Sequence, residues 1–218
     1  MPPPFHERQK GIIKQYITPF LKEKGFKKLG AVYNRGLEEV VWVINIQKNR
    51  WNSQEKAEFT MNVGVHIPGI ISTYINKPEP KRPTILDCCI EARLGLLSTV
   101  GRDRWWELTH DDIASKKDRE IGMDIQDRLN NDAFPFFDRF RNTKNVADYL
   151  EAERSREERH IWPQNVVIGF TYASILALRQ GKHEHAKGLM IKARDLSKKK
   201  PNAEDIQELC CQLFGSEL

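Results

Sequence analysis

The sequence predicts an α+β protein: an antiparallel sheet of about five to six strands with an N-terminal helix, followed by a helical C-terminal region. Three patterns carry this reading. Residues 5–24 space Ile12, Ile13, Tyr16, Ile17, Phe20 and Leu21 as a single helical stripe. Across residues 40–67 the period switches to two, with Phe59, Met61, Val63, Val65 and Ile67 alternating with Thr60, Asn62, Gly64 and His66, the mark of a strand with one buried face. From Asp111 onward the helical period returns, with Ile121, Ile125 and Leu129 four apart.

Taken in order, the first helix should stop at Gly25, which suits a left-handed C-terminal cap. Pro19 falls inside its apolar stripe and removes a backbone hydrogen bond, so two short helical pieces are expected. FKKL and AVYNR, parted by a turn at Gly30, read as two short strands. VVWVINIQK and EFTMNVGVHI then form a hairpin whose register the alternation selects. Ile46 faces Met61, Ile44 faces Val63 and Trp42 faces Val65 on the apolar side, while Gln47 faces Thr60 and Asn45 faces Asn62 on the polar side. A slip of one residue would oppose apolar to polar side chains along the whole ladder. The implied loop spans about nine residues, and its Arg50 and Trp51 either fold back onto the sheet or are available to a partner.

Residues 68–87 contain Pro68, Pro78, Pro80 and Pro83 and read as a connection crossing the sheet. Residues 90–96 alternate and read as a strand, and Trp105 and Trp106 begin a short one in which they point to opposite faces. FPFFDRF, broken by Pro135, supplies an aromatic cluster. Residues 146–160 read as a charged helix, IWPQN as a break, and VVIGFTYASILALRQ with HEHAKGLMIKARDL as a helical hairpin closed by Pro201 and followed by a last helix. The hairpin looks like a degenerate tetratricopeptide unit, with Gly181, Ala186 and Ala193 at matching positions. A single unit cannot bury its own face, so it should pack on the main domain. The expected division is a sheet domain over residues 1–145 and a helical extension over 146–218.

A chain of 218 residues with 39% hydrophobic and 30% charged side chains builds one sizeable core, and is too apolar for a disordered protein. No apolar run approaches the roughly 20 residues of a membrane span, and MPPPFHERQK lacks the apolar segment of a signal peptide, so a cytoplasmic protein without a membrane partner is expected. The net charge of +5 is concentrated in residues 1–56, which carry 11 basic and 5 acidic side chains, a balance that permits a polyanionic partner without requiring one. The cysteines form two adjacent pairs, Cys88-Cys89 and Cys210-Cys211, without the spacing of zinc or redox sites, and read as reduced thiols.

Several local signatures stand in order: LKEKGFKK, AVYNR, VINIQKNRWNSQEKAEFTMNVGV, CIEARLGLL followed by DRWWEL, and PFFDRF. The series resembles the bacterial family of uncharacterised proteins known as the DUF4304 domain, over roughly residues 8–145. The resemblance implies an α+β domain on an antiparallel sheet and carries no established activity. Glu91 and Ala92 depart from it, standing where family members often have a basic residue and another apolar one.

The candidate site is the polar sheet face. Asn45, Gln47, Thr60, Asn62, His66 and Arg93 offer amide donors and acceptors and a guanidinium fork suited to a carboxylate or phosphate. Two readings stand beside each other, a solvated or helix-covered face and a binding surface. Arg50 and Trp51, flanked by Lys48 and Lys56, form a basic and aromatic loop fit to anchor a protein or stack on a base. His110-Asp111 has the form of a metal-dependent phosphohydrolase doublet, but Thr109, Asp111 and Asp112 precede a helix and read as its cap. His183 and His185 are two apart on a helix and diverge. Phosphate-loop, dinucleotide and nucleophile-elbow motifs are absent, so no cofactor is expected. The expected function is a non-catalytic protein-interaction module of immunity or defence type, with nucleic-acid binding or processing as the alternative.

Overall fold

The computed structural model describes residues 4–110, 114–152 and 160–215. Helix α1 (Phe5–Ile12) passes through a π-helical stretch (Ile13–Ile17) into α2 (Thr18–Glu23), so the expected break at Pro19 is absent. Pro19 sits in the first turn of α2, and the widened turn before it accommodates the missing N–H without stopping the helix. The same device recurs where α4 (Ala114–Arg128) meets α5 (Phe134–Arg139): a π stretch at Leu129–Ala133 precedes Pro135. The two π stretches belong to helices that pack together. The Tyr16 ring lies where a Cβ on Gly122 would stand, and the Gln126 side chain donates to the Tyr16 carbonyl at 2.8 Å.

Gly25, at φ +83°, ends α2 in a Schellman motif: its N–H donates to Lys22 O and the N–H of Phe26 to Leu21 O, both at 2.9 Å. Leu21 and Phe26 are both buried, and the chain turns directly into the sheet.

Among the described residues the sheet has seven strands, one more than the upper expectation: β1 (Lys27–Leu29), β2 (Val32–Gly36), β3 (Val41–Lys48), β4 (Lys56–His66), β5 (Ile90–Arg93), β6 (Trp106–Thr109) and β7 (Ile161–Trp162). Every observed pairing is antiparallel, in the order β1-β2-β3-β4-β5-β7, with β6 beside the first part of β4. All five hairpin pairs read from the alternation are present, from Trp42 opposite Val65 to Gln47 opposite Thr60. The loop is seven residues, 49–55, because β4 extends to Lys56 to pair with β6.

Three segments differ from their sequence reading. Residues 94–97 form a 3₁₀ turn, so the strand beginning at Ile90 ends at Arg93. The proline-rich connection holds a short helix, α3 (Ile70–Tyr74). IWPQN, read as a break, places Ile161 and Trp162 in the sheet as β7, paired with Ala92 and Glu91. Two residues are too short for a period to show.

The apolar face packs beneath the N-terminal and central helices. The Phe137 ring stacks on Trp42 at 4.9 Å between centroids, and Thr18 Oγ1 and the Tyr33 hydroxyl share a hydrogen bond of 2.8 Å. Trp106 is buried against Phe59, while Trp105 lies on the other side, as the strand geometry requires. Beyond the central helices, α6 (Thr143–Glu151) begins earlier than read, with Asn142 Oδ1 capping the Asn145 N–H. It ends at Glu151, and residues 153–159 of the expected charged helix lie outside the described residues. Helices α7 (Val166–Arg179), α8 (His183–Ser197) and α9 (Ala203–Phe214) follow. Tyr172 of α7 meets Tyr74 edge-on at 5.2 Å, and the buried side chains of these helices are continuous with those of the sheet. No described helix is long and apolar enough to cross a membrane.

Candidate functional site

The polar face is divided into three parts by what crosses it. At one end, His66 is buried beneath the proline-rich connection. Its Nδ1 lies 2.7 Å from the Asp87 carbonyl, which can only accept, and its Nε2 lies 2.8 Å from Glu79 Oε1. Glu79 also accepts from the Gly69 N–H at 2.8 Å and from the Ser72 hydroxyl, so one histidine and one glutamate fasten this connection to the sheet and to the start of α3. Gly64 lets the connection approach: a Cβ there would stand 2.7 Å from Cys88 Sγ and 2.8 Å from Ile85 Cδ1.

At the other end, Thr60 is fully buried and donates to the Arg104 carbonyl at 2.7 Å. Residues 95–105 cover this corner. Between the two covers lie Asn45, Gln47, Asn62 and Arg93, with Gln47 exposed and the other three half-buried. Asn62 Nδ2 donates to Gln47 Oε1 at 2.8 Å. Arg93 sits opposite Asn62, pairs with Asp103 at 2.9 Å and stacks on Trp105 at 5.1 Å. Asp103 also accepts from Trp105 Nε1 at 3.0 Å. Within the row one hydrogen bond joins Asn62 to Gln47, and Arg93 is held by Asp103 and Trp105 at its edge.

Lys48, Arg50 and Trp51 form a separate surface at the end of the hairpin. Trp51 is 76% exposed, with the Arg50 guanidinium 4.8 Å from its ring, so it does not fold over the rim of the core. The loop is held in one shape by hydrogen bonds. Asn49 Oδ1 accepts from the Trp51 N–H at 3.0 Å, and Asn52 bonds both the N–H and the carbonyl of Glu58. Asn49 Nδ2 donates to Glu58 Oε2 at 2.7 Å, and the Ser53 N–H to the Lys56 carbonyl at 2.9 Å. The loop is less basic than its sequence reads. Lys56 is bonded to Glu107 and Glu58, which push its ammonium up to about 12 and draw the Glu58 carboxyl down.

Beside the loop lies a cleft of about 520 Å³ between Lys48, residues 52–54 and the start of α1. Sequence reasoning missed the α1 contribution, above all Gln9, which is 5% exposed and whose Nε2 has no hydrogen-bond partner among the described residues. As a single polar residue ahead of the apolar stripe, it gave no sign in the sequence that it would border a cleft. His110 also lines this cleft, its Nε2 2.8 Å from the Gln54 carbonyl and its ring 4.7 Å from Phe5. Asp111 and Asp112 lie outside the described residues. No group of three or more His, Cys, Asp or Glu side chains suited to a metal occurs among the described residues. His185 contacts Glu151 at 3.1 Å.

The fold defines this chain as an α+β protein on one antiparallel sheet, with a helical C-terminal region. Residues 17–139 match the model of DUF4304, a domain of unknown function, over more than half of the chain. The chain belongs to this family. No curated protein and no solved structure matches it.

Proposed function

We propose that the protein is a non-catalytic interaction module that binds a protein partner through the Arg50-Trp51 loop and the cleft beside it. The observation that carries this reading is Trp51, a large aromatic side chain exposed to 76% on a loop that its own hydrogen bonds hold rigid. Tryptophan and arginine dominate binding hot spots, and a loop already fixed in shape loses little entropy on docking. The Asn45, Gln47, Asn62 and Arg93 row would form a second, more polar contact area. By analogy with other small domains of this kind, the proposed setting is the bacterial cytoplasm, in an immunity or defence role.

The same Arg50-Trp51 stack is also a platform for an unpaired base, so nucleic acid is the second reading. The test is quantitative co-purification from the native host with wild-type chain and the Trp51→Ala/Arg50→Ala variant as baits. A stoichiometric partner held by the first and lost by the second supports the proposal. A partner retained equally by both, or none held by wild type, refutes it. A shift of single-stranded DNA or RNA at low salt that the double variant abolishes would favour the second reading instead.

A further inference from the structure

Several charged side chains on this surface have a counterpart of opposite sign. Lys10 pairs with Glu7, Lys144 with Asp148, Lys198 with Asp195, Arg104 with Asp124, and Lys56 with two glutamates. In one cleft three cations share a wall without such a counterpart. A cleft of about 510 Å³ lies between the polar face of β1 and β2 and the segment 81–83 of the proline-rich connection. Lys27, Lys81 and Arg82 line it, none of the three has an ion-pair partner among the described residues, and no acidic side chain lines it.

The local fold explains why these cations converge. Lys27 and Asn34 are register partners on the outer strands, so their side chains share the polar face. Asn34 Nδ2 donates to the Pro83 carbonyl at 2.8 Å, which fastens the segment bearing Lys81 and Arg82 along the far wall. Gly36 lies on the same face, and a Cβ there would meet nothing within 4 Å, so this part of the wall is open space. Lys28 also borders the cleft, but its ammonium lies over the Tyr33 ring on the opposite face and is not one of the three converging charges.

We propose that this cleft is a binding site for a small ligand carrying two or more phosphate groups, held by Lys27, Lys81 and Arg82. Three uncompensated cations match the charge of a diphosphate or triphosphate. The arginine supplies a fork for two phosphate oxygens and the lysines act as mobile point charges. The volume falls in the roughly 300–1,000 Å³ range of small-molecule sites. The site is separate from the Trp51 loop, so it stands or falls independently of the proposed partner-binding function.

The experiment is calorimetric titration of the full chain with inorganic tripolyphosphate at low and moderate salt. It compares wild type, Lys27→Glu/Arg82→Glu, and the distant Lys187→Glu as a control for net charge, with thermal melts showing that each variant is folded. The expected result is saturable binding that the double variant weakens about 10-fold or more, the loss expected for charge-assisted contacts, and that Lys187→Glu leaves unchanged. Absence of binding to folded wild type, or equal weakening by the control, overturns the proposal. So does a 20-nucleotide single strand that binds without being displaced by tripolyphosphate while tripolyphosphate alone does not bind, since that result would assign the cations to a polymer backbone.

Discussion

Replacing Gly64 by alanine isolates the packing of the proline-rich connection on the sheet. The added Cβ would stand 2.7 Å from Cys88 Sγ, 2.8 Å from Ile85 Cδ1 and 2.9 Å from Cys88 Cβ. Ordinary carbon contacts lie at about 3.5–4.0 Å, so Ile85 and Cys88 must withdraw by roughly 0.5–1 Å. Cys88 is fully enclosed and its backbone N–H bonds to Ile85 O, which leaves little room for that movement. Overpacking of this kind costs about 1–3 kcal/mol, offset by about 0.4–1 kcal/mol because alanine restricts the unfolded chain. The expected net loss is about 1–2 kcal/mol, a fall in Tm of roughly 2–8 °C at this chain length. Urea unfolding followed by circular dichroism would show a lower midpoint at unchanged slope. Cys88→Ala removes the closest atom, so the double variant should lose less than the sum of the two single losses by about 0.5 kcal/mol or more. A Gly64→Ala protein within about 0.3 kcal/mol of wild type, or strictly additive losses, would refute the close-packing argument.

Other consequences are equally open to measurement. Arg8 is almost wholly buried, with Nε and Nη2 bonded to Asp118 Oδ1 at 3.0 and 2.8 Å and Nη1 to the Thr109 carbonyl at 3.0 Å. Arg8→Met should cost about 3 kcal/mol in urea unfolding by stranding these acceptors, and a loss below about 1 kcal/mol would show that they find other partners. Burial raises the Glu91 carboxyl above its ordinary value. A carboxyl raised in the folded state binds its proton more tightly than in the unfolded chain, so its penalty is absent below about pH 4 and develops as pH rises through the folded pKa. Glu91→Gln should therefore melt above wild type at pH 7 and converge with it at acid pH, and a variant less stable at pH 7 would reverse the sign. Burial also pushes the thiols of Cys88 and Cys89 up, the latter to about 12, while Cys211 is exposed. A disulfide reagent should label Cys211 fast in the native protein and Cys88 and Cys89 only on unfolding, as peptide mapping by mass spectrometry would show.

Much of the fold was legible because its signals are local. The alternation through Phe59, Met61, Val63 and Val65 assigns each side chain to a face, and with the matching pattern in β3 it leaves one register that keeps apolar opposite apolar. Gly25 marked its cap because few other residues adopt its positive φ. The failures have equally specific causes. Pro19 and Pro135 read as breaks, yet each follows a widened π turn whose support comes from a helix distant in sequence, Tyr16 seating on Gly122. Strand β7 is two residues long and shows no period.

Periodicity alone assigns which side chains share the polar face and sets Arg50 and Trp51 together on a hairpin loop. Which of them stay accessible depends on packing between distant segments. His66 and Thr60 fall under crossing segments and serve the fold, while Asn45, Gln47, Asn62 and Arg93 remain between them. Glu107 and Glu58 pair with the lysine that flanks the loop, and Lys27, Lys81 and Arg82 come together where residues 81–83 return to the outer strands. The physical reason is one of range. Periodicity and backbone preference act over a few residues and are written in order along the chain. Coverage and charge compensation depend on which distant segments arrive at a surface, and that is fixed only when the whole core closes.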